Sequence, residues 1–77
     1  MSVTVYSKPG CTACTATVSA LDKQGIAYEV VDMSQDAAAM AHARALGFMQ
    51  APVVIPECGE PWSGFRPDKI LALSERP

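Results

Sequence analysis

The sequence predicts an α/β fold in which a four-stranded mixed sheet is flanked by three helices, in the order β-α-β-α-β-β-α. Short β-branched runs alternate with helical periodicity over the first 46 residues, a pattern typical of parallel β-α-β units. Pro52 opens a third apolar run directly after a loop, where a sheet tolerates proline. A stretch rich in Pro, Gly and Glu follows and suits a hairpin. With 77 residues, we expect one domain over positions 1–77 with a modest core.

The predicted elements, in chain order, are the strand 2–7, the helix 12–24, the strand 27–32, the helix 34–46, the strand 51–55, the short strand 62–63 and a helix from residue 67. Cys14, Val18 and Leu21 share one face of the first helix, so Val18 and Leu21 are expected in the core. Ser34 is the expected N-cap of the alanine-rich second helix. Pro67 suits the first position of the third helix. The first and third helices should cover one face of the sheet and the second helix the other.

Two cysteines, Cys11 and Cys14, lie three residues apart between the first strand and the first helix. The turn residues before them place Cys11 at the helix start and Cys14 one turn in. Because Cys14 shares the apolar helix face, it should be the more buried of the two. A helix N-terminus carries partial positive charge and commonly lowers a thiol pKa from about 8.5 to roughly 3.5–7.5. Three-residue spacing brings the second sulfur next to the first. The pair therefore predicts thiol–disulfide exchange, in which Cys11 attacks a substrate disulfide and Cys14 displaces the product.

A C-x-x-C pair can also be half of a metal site. The remaining soft ligands, His42 and Cys58, stand alone and sixteen residues apart, whereas zinc sites usually bring ligands in close pairs. We therefore expect no metal site, and a zinc or iron–sulfur module is kept as the alternative from a different class. Cys58, flanked by Glu57 and Glu60, is interpreted as incidental, and His42 is given no role.

The overall composition narrows the function classes. Hydrophobic residues make up 49% and charged residues 18%, and the net charge is −2, so the chain is globular without the basic stripe that indicates nucleic-acid binding. No apolar run reaches the roughly 18 residues of a membrane span, and the N-terminus reads as a strand rather than a signal peptide. A C-x-x-C pair without an export signal indicates a cytoplasmic redox protein, for which we expect a monomer.

The dithiol after the first strand, the proline opening the third strand and the element order together resemble the thioredoxin superfamily, and the small size resembles its glutaredoxin branch. The run Trp62-Ser63-Gly64-Phe65-Arg66-Pro67-Asp68 is more specific and resembles the signature of the NrdH-type redoxins. The segments Leu46-Gly47-Phe48 and Gln50-Ala51-Pro52-Val53-Val54 resemble that family as well. The resemblance covers residues 3–73, essentially the whole chain.

The resemblance implies a role for each matching residue. Cys11 matches the nucleophilic cysteine, and Cys14 matches the resolving cysteine. Pro52 matches a cis-proline beside the disulfide, where the neighbouring backbone, including Ala51, can pair with an incoming extended chain. Family members bind no cofactor, are reduced by FAD-containing thioredoxin reductase with NADPH, and pass electrons to the large subunit of class Ib ribonucleotide reductase.

One departure from the family pattern lies between the cysteines. NrdH-type proteins usually have Met or Val followed by Gln there, whereas this chain has Thr12 and Ala13. Those positions affect the reduction potential and contact with partners. Thr12 and Ala13 are therefore predicted partner-binding positions, and the assignment to the NrdH-type redoxins stands.

The same resemblance speaks against glutathione, although a glutathione-dependent glutaredoxin remains the alternative enzyme. Glutaredoxins usually carry Gly-Gly and an acidic pair near the third helix. Here Phe65 stands at the second glycine, so the backbone cannot be approached as closely, and Arg66-Pro67 interrupts the acidic pair. Lys8 is ambiguous, because glutathione-binding relatives also have a lysine near this place. Beside Cys11, Lys8 would stabilise the thiolate.

Two aromatic residues are candidates for partner contact. Trp62 lies in a predicted strand and either packs on the sheet or faces a partner. Phe65, in a loop next to the expected dithiol edge, is the better docking candidate. Arg66 either contacts the partner or hydrogen-bonds its own loop. The remaining residues of the predicted structural signature are Ser63, Gly64, Pro67 and Asp68.

Overall fold

A computed structural model describes residues 3–57 and 59–74. Its elements, in chain order, are β1 (Val3–Ser7), α1 (Thr12–Lys23), β2 (Tyr28–Asp32), α2 (Ala37–Ala45), β3 (Val53–Ile55), β4 (Trp62–Ser63) and α3 (Pro67–Ser74). The predicted element order is confirmed. Ser2, Cys58 and residues 75–77, on which parts of the predictions fall, lie outside the described residues. Within those residues, no helix is long and apolar enough to cross a bilayer.

The mixed sheet has the strand order β2-β1-β3-β4. β1 and β2 run parallel, with Val5 opposite Val30. β3 runs antiparallel to both β1 and β4, as the predicted hairpin requires. β3 begins at Val53, two residues later than predicted, because Ala51 and Pro52 belong to the loop before it.

Two apolar clusters lie on opposite faces of the sheet. The first packs α1 and α3 against the sheet and contains Val3, Val5, Leu21, Val54, Trp62 and Ile70. The second packs α2 on the other face and contains Met33, Ala39, Ala43 and Val53. The predicted distribution of the helices is therefore confirmed, and it gives the layered arrangement expected when a sheet must cover both faces.

The start of α2 differs from the prediction. Its N-cap is Asp36, whose carboxylate accepts a hydrogen bond from the Ala39 backbone N–H at 3.1 Å, so the assignment of Ser34 as the cap is wrong. The backbone N–H and hydroxyl of Ser34 instead donate to Asp32 Oδ1 at 2.8 and 2.6 Å. A carboxylate accepts both in a turn and at a helix N-terminus, and here two aspartates outcompete the serine.

The buried face of α1 also differs from the prediction by one residue. Cys14, Thr17 and Leu21 are buried, whereas Val18, expected in the core, is only half-buried. Thr17 can occupy the core because its hydroxyl donates to the Ala13 carbonyl at 2.8 Å. Since α1 packs mainly against β1 and α3, Val18 is left on the side of the helix near the edge strand β2.

Candidate functional site

Cys11 is the N-cap of α1, so its sulfur lies at the first turn of the helix. Gly10, with φ +72°, completes the turn after β1, and Cys11 then has extended backbone angles, φ −92° and ψ 107°. The Cys14 backbone N–H donates to Cys11 Sγ at 3.1 Å. A sulfur thus takes the position that a hydroxyl or carboxylate oxygen takes at most helix starts, and the helix N–H group stabilises negative charge that develops on it.

Cys14 lies one turn further and has a different environment. Only 5% of its surface is exposed, whereas Cys11 is half-buried, which confirms the predicted difference. Burial, followed by the hydrogen bond to Cys11, raises the pKa of Cys14 to about 11. The backbone N–H and the charge of Lys8 act in the opposite direction but are the weaker influences. Cys14 is therefore a neutral, buried thiol at pH 7.

A cavity of about 590 Å³ opens beside the dithiol. Both cysteines line it together with Lys8 and Thr12, which are exposed. Val18 of α1 and Val30 of β2 extend its lining away from the cysteines. Ala13, the other residue between the cysteines, is half-buried. The cavity makes the dithiol accessible from the side of α1 that faces β2.

The loop before β3 contains the cis-proline that the family resemblance implied. The Ala51–Pro52 peptide bond is cis, and Pro52 is buried. The Pro52 carbonyl accepts a hydrogen bond from the Gly64 N–H at 2.8 Å, which ties this loop to the one after β4. Gly64 has φ +81°, a conformation that favours glycine at that position.

Ala51 also lines a second, smaller cavity of about 260 Å³. Lys8 lies on its edge as well and so contributes to both cavities. The apolar side chains in this second lining include Met33, Met40, Phe48 and Met49. The dithiol turn is therefore flanked by open surface on the side of α2 as well as on the side of β2.

The loop between β4 and α3 holds the remaining predicted partner-binding residues. Phe65 is 41% exposed. Arg66 Nε and Nη2 donate to the two carboxylate oxygens of Asp68 at 3.3 and 3.2 Å. This hydrogen-bonded contact with Arg66 lowers the pKa of Asp68. Pro67 is the first residue of α3, as predicted. The Arg66 guanidinium thus bonds the first turn of α3, and Phe65 remains exposed at the surface.

Trp62 packs in the core rather than facing outward. It is 5% exposed, pairs with Val54 across the β3–β4 hairpin and belongs to the cluster beneath α1 and α3. Ser63, next to it, pairs with Val53. The sequence left two interpretations of Trp62 open, and the structure places it among buried apolar side chains.

A contact between Tyr6 and His42 was not predicted from the sequence. The Tyr6 hydroxyl and His42 Nδ1 lie 2.9 Å apart, and the two rings meet edge to face with centroids separated by 5.8 Å. Tyr6 lies on the face of β1 opposite Val5, and α2 covers that face. Strand alternation combined with the helix placement would have brought the two together. The contact joins β1 to α2 and lies outside the dithiol site.

In residues 3–57 and 59–74, no group of three His, Cys, Asp or Glu side chains could hold a metal ion. Cys58, one of the two other soft ligands considered above, lies outside this part of the chain.

A half-buried cysteine at a helix start, a buried thiol one turn further, and a cis-proline in the loop just before the third strand are the features of a thiol–disulfide oxidoreductase with the thioredoxin-like fold.

Comparisons with known proteins agree with this class. The Glutaredoxin family model matches residues 3–57. The glutaredoxin-like protein NrdH of Escherichia coli K12 is 40% identical over 78 residues, which cover 100% of this chain and 94% of the relative. NrdH of Salmonella typhimurium LT2 is 41% identical with the same coverage. The solved structure of E. coli NrdH-redoxin, a glutaredoxin-like protein with a thioredoxin-like activity profile, matches with a TM-score of 0.91, 39% identity and 100% coverage of both chains. The chain therefore belongs to the NrdH-type redoxins of the glutaredoxin family.

Proposed function

We propose that this redoxin is an electron carrier that receives electrons from NADPH through FAD-containing thioredoxin reductase and passes them to the large subunit of class Ib ribonucleotide reductase. The observation that carries the proposal is the unequal dithiol, in which Cys11 is accessible at a helix start and Cys14 is a buried neutral thiol. Membership of the NrdH-type redoxins supports the choice of partners, and the thioredoxin-like activity profile of the E. coli relative supports the choice of reductase.

In the proposed reaction the Cys11 thiolate attacks one sulfur of the partner's disulfide. A mixed disulfide forms, and the second partner sulfur leaves as a thiolate. Cys14 then gives up its proton to that thiolate and attacks Cys11 Sγ, which its own backbone N–H already contacts. The bond between Cys11 and the partner breaks, and the partner's first sulfur leaves as a thiolate that takes a proton from water. The products are a partner dithiol and a Cys11–Cys14 disulfide, so two electrons have moved to the partner. Thioredoxin reductase returns two electrons and restores the dithiol.

The raised pKa of Cys14 supports this order of events. A thiol that stays protonated at pH 7 is a poor first nucleophile, because the thiolate is the attacking species. Once the mixed disulfide forms, Cys14 is held one helical turn from the bond that it must break. The high local concentration of an adjacent group then favours resolution.

Two segments are proposed to contact the partner chain. Thr12 and Ala13 lie next to Cys11 in the first turn of α1. On the other side, the partner would pair with backbone at Ala51, since the Pro52 carbonyl already accepts from Gly64. Phe65 would add an apolar contact there.

Arg66 and Lys8 are proposed to act through other residues. Because Arg66 pairs with Asp68, it would act by holding the loop that presents Phe65. Lys8 is exposed beside the dithiol and would help to stabilise the Cys11 thiolate. The chain would need no bound cofactor, since NADPH and FAD serve the reductase. A carrier that visits two enzymes in turn suits a monomer in the cytoplasm.

A glutathione-dependent glutaredoxin is the second candidate, and the position of Lys8 is the observation that favours it. Lys8 lies where a carboxylate of a small peptide could reach it from either cavity. Two features oppose this candidate: Phe65 projects a side chain where glutathione-binding relatives have glycine, and Asp68 is paired with Arg66. We therefore favour thioredoxin reductase as the source of electrons.

NADPH consumption with the oxidised protein as electron acceptor separates the two candidates. One assay contains thioredoxin reductase, and the other contains glutathione with glutathione reductase. We expect turnover in the first assay and background in the second. Turnover in the glutathione assay alone would contradict the proposed electron source and make the protein a glutaredoxin in the functional sense. Reduction of purified class Ib ribonucleotide reductase then tests the electron acceptor.

A further inference from the structure

We propose that the surface between Val18 and Val30 is a pocket for an aliphatic side chain of the partner polypeptide, next to the disulfide that Cys11 attacks. The proposal rests on the proposed function, in which Cys11 attacks a partner disulfide. It adds a docking site on the α1 and β2 side of the dithiol to the contacts with Ala51 and Phe65 on the other side.

Val30 is exposed for a structural reason. It pairs with Val5 in the parallel β1–β2 ladder, so the two side chains lie on the same face of the sheet. Val5 is fully buried beneath α1, whereas Val30 is 48% exposed. Because β2 is an edge strand and α1 packs mainly against β1, the apolar face of β2 extends beyond the helix that would cover it.

Val18 lies on the helix side of the same cavity. It stands four residues after Cys14, so the two side chains follow one another along one side of α1. Val18 is half-buried, while Thr17 takes the core position next to it. Valine at both positions makes this part of the cavity apolar, and neither side chain belongs to the two buried clusters of the described residues.

The dithiol determines what occupies this pocket. Cys11 lines the same cavity, of about 590 Å³, as Val18 and Val30, so the pocket is continuous with the sulfur that the partner disulfide must touch. An extended partner chain advances about 3.3 Å per residue. The residues adjacent to the partner's cysteine are therefore within reach of the cavity while its sulfur contacts Cys11 Sγ. Lys8, Thr12 and Thr15 also line the cavity, but its end between Val18 and Val30 is aliphatic and favours an aliphatic side chain over a polar one there.

Peptide disulfides test the pocket directly. Short peptides that contain one cysteine, linked as a mixed disulfide to thionitrobenzoate, are prepared with Leu or Ser on either side of the cysteine. Attack by Cys11 on the peptide sulfur joins the peptide to Cys11 and releases the coloured thionitrobenzoate anion, so stopped-flow absorbance gives the rate constant of that step. For the wild type we expect the Leu peptide of at least one pair to react about fivefold faster than its Ser counterpart.

Two variants test whether Val30 causes the faster reaction of the Leu peptide. Val30→Ser should bring the ratio of the Leu and Ser rate constants close to one. Leu71→Ser is the matched control, because Leu71 is also 48% exposed but lies on α3 and does not line the cavity. This control should keep the wild-type ratio. Taking a ratio removes any general effect of the substitution on the reactivity of Cys11.

The outcomes separate this proposal from the one on which it rests. If the wild type reacts with neither peptide, both proposals fail. If it reacts at equal rates with the Leu and Ser peptides, or if Val30→Ser keeps the preference, the pocket is refuted and the attack by Cys11 stands. A concentration-dependent dimer of the wild type that Val30→Ser abolishes, measured by sedimentation, would assign the surface to a second copy of the chain and also overturn the proposal.

Discussion

Two helix starts in this small protein are used in opposite ways. At α1, the N-cap is Cys11, whose sulfur accepts a backbone N–H and remains accessible. At α3, the Arg66 carbonyl accepts from the Lys69 and Ile70 N–H groups, and the Arg66 side chain pairs with Asp68. A helix N-terminus favours negative charge in both places. At α1, the group at the positive end of the helix is the Cys11 sulfur. At α3, it is the Asp68 carboxylate, which is paired with Arg66.

The comparison suggests a division of roles. In the proposed function, the α1 start holds the reacting atom, and the α3 start holds the loop that carries the exposed Phe65. The resemblance to glutaredoxins implies that glutathione-binding relatives have glycine and an acidic pair in the corresponding loop. Here Phe65 stands in that loop and Arg66 pairs with Asp68, so in the proposed function the loop selects partners without taking part in the chemistry.

The largest expected effect comes from removing the sulfur at the α1 start. Cys11→Ser should lower disulfide reduction by about a thousandfold or more, because the nucleophile is lost. Serine is a good N-cap, so the free energy of unfolding should change by less than about 1 kcal/mol. Turnover with thioredoxin reductase and far-UV circular dichroism measure the two effects.

Cys58→Ser is the matched control for that experiment, since the sequence interpretation gives Cys58 no role. It should keep wild-type turnover. If Cys58→Ser loses activity while Cys11→Ser keeps it, the α1 start is not the reactive site.

The second effect concerns pH and the neutral thiol of Cys14. Its pKa is raised from 9.0 to about 11, so the folded state holds this proton more tightly than the unfolded chain does. The resulting stability is fully present below pH 9 and is lost as pH rises to about 11. For a buried thiol the loss should be on the order of 2 kcal/mol.

Denaturant titrations of the reduced protein between pH 8 and about 11.5 measure this loss. Cys14→Ala is the control, because it keeps the other titrating groups and removes this thiol. A variant with the same decline as the wild type would show that Cys14 does not titrate as its burial implies.

The third effect comes from removing the Phe65 side chain in the loop before α3. Phe65→Gly should increase turnover with glutathione and glutathione reductase by about tenfold, since the backbone can then be approached more closely. The same variant should lose several-fold activity with thioredoxin reductase if Phe65 docks that enzyme. Leu71→Gly would damage α3, so Leu71→Ala is the better surface control, with both activities unchanged. If neither activity changes in Phe65→Gly, Phe65 has no role in partner selection.

The smallest effect concerns the Arg66–Asp68 pair. Arg66→Ala should return the pKa of Asp68 toward its usual value, an upward shift, because the guanidinium that stabilises the carboxylate is gone. A carboxyl-detected NMR titration of Asp68 measures this. Both side chains are exposed, at 49% and 66%, so little change in stability should accompany the shift. An unchanged pKa would mean that the pair does not persist in solution.

Most of the fold followed from local patterns. The order of elements, the reversed third strand and the placement of helices on both faces were predicted correctly. Each element has its own hydrophobic periodicity and is bounded by turn or capping residues. The errors arose where several residues competed for one position. Ser34 is a good cap by type, but Asp36 stands closer to the start of α2 and Asp32 binds the serine.

The positions of the two cysteines could be predicted from a sequence motif. The side chains around them were harder to predict, because their burial depends on tertiary packing. The helix face that Cys14 shares with Leu21 predicted that Cys14 is more buried than Cys11, and the structure confirms it. The sequence pattern could not show that Thr17 would replace Val18 in the core, since that depends on where α1 crosses the sheet. The Tyr6–His42 contact joins residues 36 positions apart and likewise needs the tertiary arrangement.

The most direct test of the central claim, that Cys11 attacks and Cys14 resolves, is to trap the intermediate with Cys14→Ser. The reduced variant is mixed with an oxidised partner protein, and the products are analysed by non-reducing electrophoresis and peptide mass spectrometry. We expect a stable covalent complex joined through Cys11, which dithiothreitol releases and which Cys11→Ser does not form. A complex joined through Cys14 in the Cys11→Ser variant, with none from Cys14→Ser, would contradict the claim.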